Sequence, residues 1–560
     1  MDAPRPQFAV RLLPSLTDMA FLMPLVFVFA RMEGIKSLLG DCDTGWHIRT
    51  GEWILAHHRV PIHDIFSFTK PNGVWYAWEW LSDVLFAWLH AHGGLRTIAF
   101  FAMVLICLTF LLLFRLVRRK SNAIIAVLVT MIAAATSSIH WLTRPHLFTV
   151  FLLVVFYGIL ESVRAGKTHL GPVPYLLILP FITIVWTNLH GGFFVGVLML
   201  AAYGLADLLK LALTTAPEER RPAWVRARRY FLCALACLAA SLVNPYTWRL
   251  HQHVFTYLTD PYQSQHIVEF FSISFHHPMA IFFEAMLLIG AMAAAWHASK
   301  GRYVEPVLIL MWSHAALLAA RNIPLFAIIA APIMASAMEE WVAAMPAWNL
   351  AAWARSAAQK FLSVATETTQ TDSIPRWHVT SVIGVALFAA LLYAPNPPKA
   401  FRAEFDPKSF PAGAIELLRG DPAASIFTSD QWGDYLIYRL YPGTKVFTDG
   451  RSDFYGPDFG KDYLGVMYVT YDWEKILGRF RVDTILLPPS APLAGALKES
   501  AHWRVVYDDH VSLVFRSTRK IGGQPMSATR NGDGECRDRE ITKTQVVVPR
   551  PPSTSQRRSL

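Results

Sequence analysis

Charge is scarce in this chain. Only 16% of its 560 residues are Asp, Glu, Lys or Arg, against about a quarter in an ordinary soluble domain. The shortfall comes from long apolar runs, which excludes a plain water-soluble chain. Cysteine is scarce as well. Cys42, Cys107, Cys233, Cys237 and Cys536 show no CxxC spacing, which excludes a disulfide framework or a thiolate metal centre of that kind. Cys107, Cys233 and Cys237 lie in apolar runs and read as packing residues. No phosphate-cradling P-loop, Rossmann glycine fingerprint, GxSxG or HExxH occurs, so the enzyme classes those motifs mark have no footing here. There is no internal repeat. The first apolar segment lacks a small-residue cleavage site and reads as a retained anchor.

What is abundant is apolar sequence, 54% of the chain. A spanning helix needs about 20 largely apolar residues. Segments near 16–36, 95–116, 121–140, 146–163, 172–188, 192–212, 230–243, 279–297, 304–320, 322–338 and 378–394 give about eleven spans. The net charge of +10 is then topology before it is nucleic-acid binding, and no nucleic-acid partner is expected. Every even-numbered span ends in basic residues, such as Arg115, Arg118, Arg119 and Lys120 after the second. Under the positive-inside rule the N-terminus is cytoplasmic. Residues 40–94 and everything after the last span then face outward. The expected location is a bacterial inner membrane, crossed many times.

The outward connections are rich in His, Asn, Arg and acids. The first is GDCDTGWHIRTGEWILAHHRVPIHDIFSFTKPNGVWYAWEWLSD. The second is SSIHWLTRPH, with His140, Arg144 and His146. The third, WTNLHGGFFVG, holds His190. The fourth, from Asn244 to His277, carries Glu269, and the fifth, AARNIPLF, carries Arg321. Polar groups beside the apolar layer are costly unless satisfied and are often functional. Interfacial anchoring is the plainer alternative for any one of them.

Residues 341–377 read as a cytoplasmic linker. APNPPK marks a boundary, and 395–517 read as a soluble α/β domain, with a short helix at AGAIELLRG and strands at SIFTS, TKVFTD, VDTILLPP, WRVVYDD and VSLVFRS. The composition of 518–560 suits a disordered tail. The fold class expected is therefore a polytopic α-helical membrane protein, residues 1–394, with a C-terminal soluble α/β domain.

Within the first loop, Asp43, His47 and Arg49 fall on related helical positions. A carboxylate just outside a span suits a hard cation or general-base work, and an arginine beside it suits a phosphate. Asp41 and Asp43 also suit the N-terminus of the helix that follows. The order Asp43-x-x-x-His47-x-Arg49, a helix, VPIHDIFSFTKPNG and then WEWLSD resembles the first external loop of GT-C membrane glycosyltransferases. It is most similar to that of archaeal and bacterial oligosaccharyltransferase catalytic subunits.

That resemblance implies a transferase using a lipid-phosphate-linked sugar on the outer face, with Asp43 beside the acceptor and bound to a divalent cation, Mg or Mn, which His47 would also ligate. FTSDQWGDYLIYRLYPGTKVFTDGRSDFYG resembles those subunits' Trp-Trp-Asp region, which implies acceptor contacts from Trp432 and Asp434. Here the motif is Trp-Gly-Asp, which leaves peptide recognition open; glycan, lipid or protein acceptors all remain. The second loop also departs from the family, because it lacks that family's second acidic motif. Glu79, Asp83 and Glu269 are the carboxylates able to stand in beside Asp43. Arg49, Arg144, Arg321, His146 and His190 are the candidates for donor phosphate. The rival reading is a non-enzymatic transporter or lipid-handling scaffold with an external partner-binding domain. A transporter would place ionisable groups mid-span, and most spans here have none.

Overall fold

The computed structural model describes residues 8–518 except 168, 171–172 and 349–350. The expected disordered tail at 518–560 thus lies outside the described residues from 519 on. Among the described residues, seven helices are long and apolar enough to cross a membrane, and three shorter apolar helices accompany them. The helices that matter below are α1 (Leu16–Arg31), α2 (Asp43–His57), α3 (Trp80–Gly93), α4 (Leu95–Arg118), α5 (Ala123–Ser137), α6 (His146–Arg164), α7 (Tyr175–Leu189), α8 (Phe194–Leu213), α9 (Pro217–Ala240), α10 (Ala280–Ser299), α11 (Val304–Leu318), α12 (Ile323–Ala344) and α13 (Val379–Leu392).

Their inner faces form one apolar core that runs from Ala20 to Leu392. Their outer faces leave Leu128, Met131, Phe181, Leu205, Leu288 and Leu310 exposed. Apolar side chains on both faces are what a helix buried in protein on one side and lipid on the other requires. Two segments differ from the sequence reading. The run at 230–243 is largely the C-terminal half of α9, whose first half is Glu- and Arg-rich, so the helix lacks the length of apolar sequence that a span needs. The expected linker contains a 21-residue helix, Ala352–Asp372, with only Ala358 and Ala365 buried. Good helix formers without an apolar stripe escape a hydropathy reading.

The C-terminal part is built on a four-stranded sheet. Strands β1 (Ile426–Phe427), β2 (Thr484–Leu487), β3 (Trp503–Asp508) and β4 (Leu513–Ser517) lie in the order β1-β2-β4-β3. Only β1 and β2 are parallel. The run TKVFTD makes isolated bridges instead, from Val446 to Ile426 and to Ser67. Ser67 belongs to the first loop. The Val446 N–H donates to the Phe66 carbonyl at 3.0 Å, and the Phe68 N–H donates to the Val446 carbonyl at 3.1 Å. The first loop thus adds an extended segment beside this part of the chain. Helix α14 (Asp430–Leu440) packs on α2, and buried residues of both regions share one core, among them Trp46, Phe66, Trp75, Tyr435 and Val446.

Helix α2 also lies very close to α3. A Cβ on Gly51 would collide with the backbone carbonyl of Asp83, so only glycine permits this approach. The contact fixes His47 opposite the start of α3.

Candidate functional site

Asp43 is the first residue of α2, where the positive end of the helix favours a carboxylate. The Asp43 N–H donates to Asp41 Oδ1 at 2.7 Å, which ties the first N–H of α2 to the turn before it. Thr44 Oγ1 donates to the Thr143 carbonyl at 2.7 Å, which binds α2 to the second loop. The next residue in that loop, Arg144, is the hub of the site. Its Nη2 lies 2.7 Å from Asp43 Oδ2. Its Nη1 lies 3.0 Å from Asp41 Oδ2 and 2.5 Å from Glu269 Oε1. Burial would raise the Glu269 carboxyl, but Arg144 beside it brings it down to about 2.

The other oxygen of Asp43, Oδ1, is buried and receives no N–H or hydroxyl from a neighbour, so a hydrogen bond there must come from a protonated carboxyl. It faces the carboxyl of Asp434, from α14. A Cβ placed on Gly450 would lie 2.5 Å from Asp43 Oδ1 and 2.8 Å from Asp434 Oδ2. The Gly450 N–H donates to Asp434 Oδ1 at 3.0 Å. Burial first, and the facing carboxyl after it, push Asp434 well above the ordinary carboxylate range. Burial likewise pushes Asp43 up, with Arg144 opposing. Two buried carboxyls at this separation favour one shared proton.

A second constellation adjoins the first. His47 Nδ1 lies 2.6 Å from Asp83 Oδ1, and its Nε2 lies 3.5 Å from Glu79 Oε2. His190 Nε2 lies 3.3 Å from Glu79 Oε1. The Gly192 N–H donates to His190 Nδ1 at 2.9 Å. That nitrogen is therefore an acceptor, so Nε2 carries the proton toward Glu79. Burial holds Glu79 up to about 8 and Asp83 well above its ordinary value. It presses His190 down to about 3 and His47 well below the usual imidazole range. Burial thus favours the uncharged form of all four side chains.

Unlike Arg49 and Arg144, Arg321 makes no salt bridge among the described residues. Its Nη1 reaches the Tyr257 hydroxyl at 3.3 Å, and its guanidinium lies 4.8 Å from the centre of the Phe270 ring. Trp80 Nε1, just past Glu79, donates to Asn188 Oδ1 at 2.7 Å. Beside that pair opens a cavity of about 460 Å³ whose walls include Leu81, Ile184, Val185 and Val243.

Several expectations need correction. Arg49 does not face this site. Its Nη1 donates to Glu52 Oε2 at 2.6 Å, its Nε donates to the Tyr438 carbonyl at 3.0 Å, and the guanidinium covers the Tyr438 ring. Trp432 turns into the core, where its Nε1 donates to the Ser409 carbonyl at 2.9 Å. Two positions on a helix differ by about 200°, so Trp432 and Asp434 cannot point the same way. His146 Nε2 lies 2.8 Å from the His140 carbonyl, which makes it a prop for the second loop. Arg144 gives its N–H groups to carboxylates, leaving little for a phosphate.

The metal pair of Asp43 and His47 does not fit either. Asp43 Oδ2 is taken by Arg144, and both His47 nitrogens face carboxyls. Among the described residues no group of three His, Cys, Asp or Glu is arranged to hold a metal ion. What local sequence does not convey is the pairing of Asp43 with Asp434, or the part of Tyr257 beside Arg321.

No family model matches the sequence, and no curated protein matches it either. Among solved structures, the chain is similar to the archaeal oligosaccharyltransferase AglB from Archaeoglobus fulgidus, in complex with an inhibitory peptide and a dolichol-phosphate. The TM-score is 0.51 at 12% identity, over 90% of this chain and 74% of that one. An Archaeoglobus fulgidus oligosaccharyltransferase in complex with Zn and sulfate gives a TM-score of 0.48 at 13% identity, over 90% and 73%. ArnT from Cupriavidus metallidurans, bound to undecaprenyl phosphate, gives 0.44 at 12%, over 90% and 99%. At these identities the likeness speaks for the fold alone, and the AglB match carries it: this chain is a multi-pass membrane protein with the GT-C glycosyltransferase fold.

Proposed function

We propose that the chain is a membrane glycosyltransferase that takes its sugar from a polyprenyl-phosphate or polyprenyl-diphosphate donor. The observation that carries this reading is the meeting of Asp43 and Glu269, from separate loops, on Arg144, beside the uncommitted Arg321. A buried carboxyl pair able to take a proton and an arginine with no ion pair of its own are complementary needs. The first suits an acceptor's proton, and the second suits a phosphate.

In the reaction, the acceptor heteroatom forms a bond to the anomeric carbon of the donor sugar. The carbon–oxygen bond to phosphate breaks, and the lipid phosphate leaves with the electron pair. The acceptor proton passes to the Asp43–Asp434 pair. Arg321 and the Tyr257 hydroxyl stabilise charge on the departing phosphate. The His190–Glu79–His47 cluster holds neutral polar groups at the same wall. The largely apolar cavity beside Trp80 and Asn188 suits the polyprenyl chain. The AglB and ArnT structures contain dolichol-phosphate and undecaprenyl phosphate, which supports a donor of that chemistry. The acceptor is a glycan, a lipid or a protein. The positive-inside pattern supports a site on the outer face of a bacterial inner membrane, with the N-terminus in the cytoplasm and 395–517 external.

The test is transfer from radiolabelled polyprenyl-phosphate and polyprenyl-diphosphate sugars in proteoliposomes. Asp43→Asn is expected to abolish transfer while the protein still inserts and purifies at wild-type yield. Unchanged turnover in that variant sinks the assignment. Movement of labelled lipid across the bilayer without any transfer by wild type would favour the transporter reading.

A further inference from the structure

We infer that Arg144 is the fixed cation of this site and occupies the place that a divalent metal would otherwise take. The inference rests on the transferase reading above and deepens it. Three carboxylates from two separate stretches point their oxygens at one guanidinium: Asp41 and Asp43 at the start of α2 and Glu269 from the fourth loop. Oxygens gathered round one positive centre are the surroundings of a hard cation. Here that centre is a side chain.

The argument is one of charge and space. Asp43 is buried and Glu269 partly so, and a carboxylate withdrawn from water without a counter-charge is strongly disfavoured. One guanidinium meets that need for all three acids, because its planar fork offers several N–H groups at once. A divalent cation on the same oxygens would stand beside the guanidinium, and like charges at that range repel. Both cannot be held. The residue concerned lies in SSIHWLTRPH, the loop that presents no carboxylate and supplies this arginine instead. Thr44 Oγ1 donates to the carbonyl of the preceding residue, Thr143, which fixes the backbone that carries Arg144 while its side chain is held by the three carboxylates.

A consequence concerns the acids themselves. Asp41 and Glu269 keep part of their side-chain surface exposed, 16% and 27%, which leaves their oxygens room to close on a cation. With the arginine removed, the set is a vacant cluster of oxygen ligands. Arg144→Gln should therefore create a divalent site where the wild type has none.

The experiment is Mn2+ uptake by the full-length chain purified in detergent, read from loss of the free Mn2+ signal in electron paramagnetic resonance and from thermal unfolding with and without Mn2+. Wild type is expected to leave the Mn2+ signal unchanged and to unfold at the same temperature in EDTA. Arg144→Gln is expected to deplete the free Mn2+ signal at concentrations about tenfold or more below any at which wild type does, since three acids are left without their cation. Adding Asp43→Asn to that variant should abolish the uptake. Wild-type uptake that Asp43→Asn removes overturns the inference. So does an Arg144→Gln chain that unfolds cooperatively yet takes up no Mn2+. If Arg144→Gln does not fold, the wild-type measurement decides alone. These readouts need no sugar transfer, so a chain inert toward every lipid-linked donor would sink the transferase reading and leave the Mn2+ result standing.

Discussion

Asp43 and Asp434 face each other across Gly450, although one opens the first loop's helix and the other lies in the C-terminal part. The space between them is so narrow that a Cβ on Gly450 would lie 2.5 Å from Asp43 Oδ1 and 2.8 Å from Asp434 Oδ2. The C-terminal part is therefore a wall of the site and shares its proton. Gly450→Ala is expected to push the two carboxyls apart and lower transfer by about 100-fold, the scale of a misplaced acid–base group. Global stability should fall far less, because the added methyl lies at the site and not in the core. A transfer rate within about twofold of wild type would refute the shared wall.

The arginines divide by what already holds them. Arg321 makes no ion pair among the described residues, whereas Arg49 is spent on Glu52 and the Tyr438 carbonyl. A charge-assisted bond to phosphate is worth about 1.5–3 kcal/mol. Arg321→Ala is thus expected to raise the donor KM or lower kcat/KM by about 10- to 100-fold. Arg49→Ala should leave donor kinetics near wild type and instead loosen the contact of α2 with α14, seen as earlier proteolysis. Equal kinetic losses in both variants would contradict this division.

How far the sequence carries the structure follows from the range of each signal. The apolar runs are legible because a helix in lipid must hide its backbone and needs about 20 apolar residues to do so. The run at 230–243 shows the reach of that signal, since a window sees the apolar half of α9 and not the charged turns that lead into it. Asp43, Arg144, Glu269 and Arg321 are legible as costly polar groups beside apolar sequence. Their partners are not, because nothing local says which loop's arginine meets which loop's acid. Trp432 was reachable only through a motif resemblance, and helical geometry turns it the other way from Asp434. The bond between Val446 and the first loop is a long-range pairing with no local trace.

Glu79 makes stability depend on pH in a direction opposite to an ordinary ion-paired acid. Burial holds its folded value up to about 8 from an ordinary 4.5. The folded chain then binds its proton where the unfolded chain has released it, and stability falls as pH rises through that window. Glu79→Gln carries no such proton and removes this contribution. The wild-type unfolding midpoint should drop more steeply between about pH 5 and about pH 8 than that of Glu79→Gln. Parallel profiles would show that Glu79 is ionised in the fold. Asp83, raised by burial and by Glu79, keeps the variant's own profile from becoming flat.

Arg451 joins the first loop to the C-terminal part. Its Nη2 lies 2.8 Å from Asp64 Oδ1 and 2.6 Å from Asp449 Oδ2, and the Tyr455 hydroxyl donates to Asp449 Oδ2 at 2.8 Å. The guanidinium also stands 4.5 Å from the centre of the Trp75 ring. None of these groups is exposed, so removing one leaves a buried charge with no partner. Arg451→Met strands two carboxylates and is expected to destabilise the chain by about 3–5 kcal/mol. Asp64→Asn strands less, because Asp449 still answers the arginine, and it should cost clearly less. The order matters for function, since Asp434 reaches Asp43 only while α14 stays docked on α2. Arg451→Met should therefore lose transfer at temperatures where its membrane helices remain folded, with the C-terminal part becoming open to protease first. Loss of both regions in one cooperative step, with no protease-sensitive stage, would mean that Arg451 stabilises the chain as a whole and does not act as a local latch.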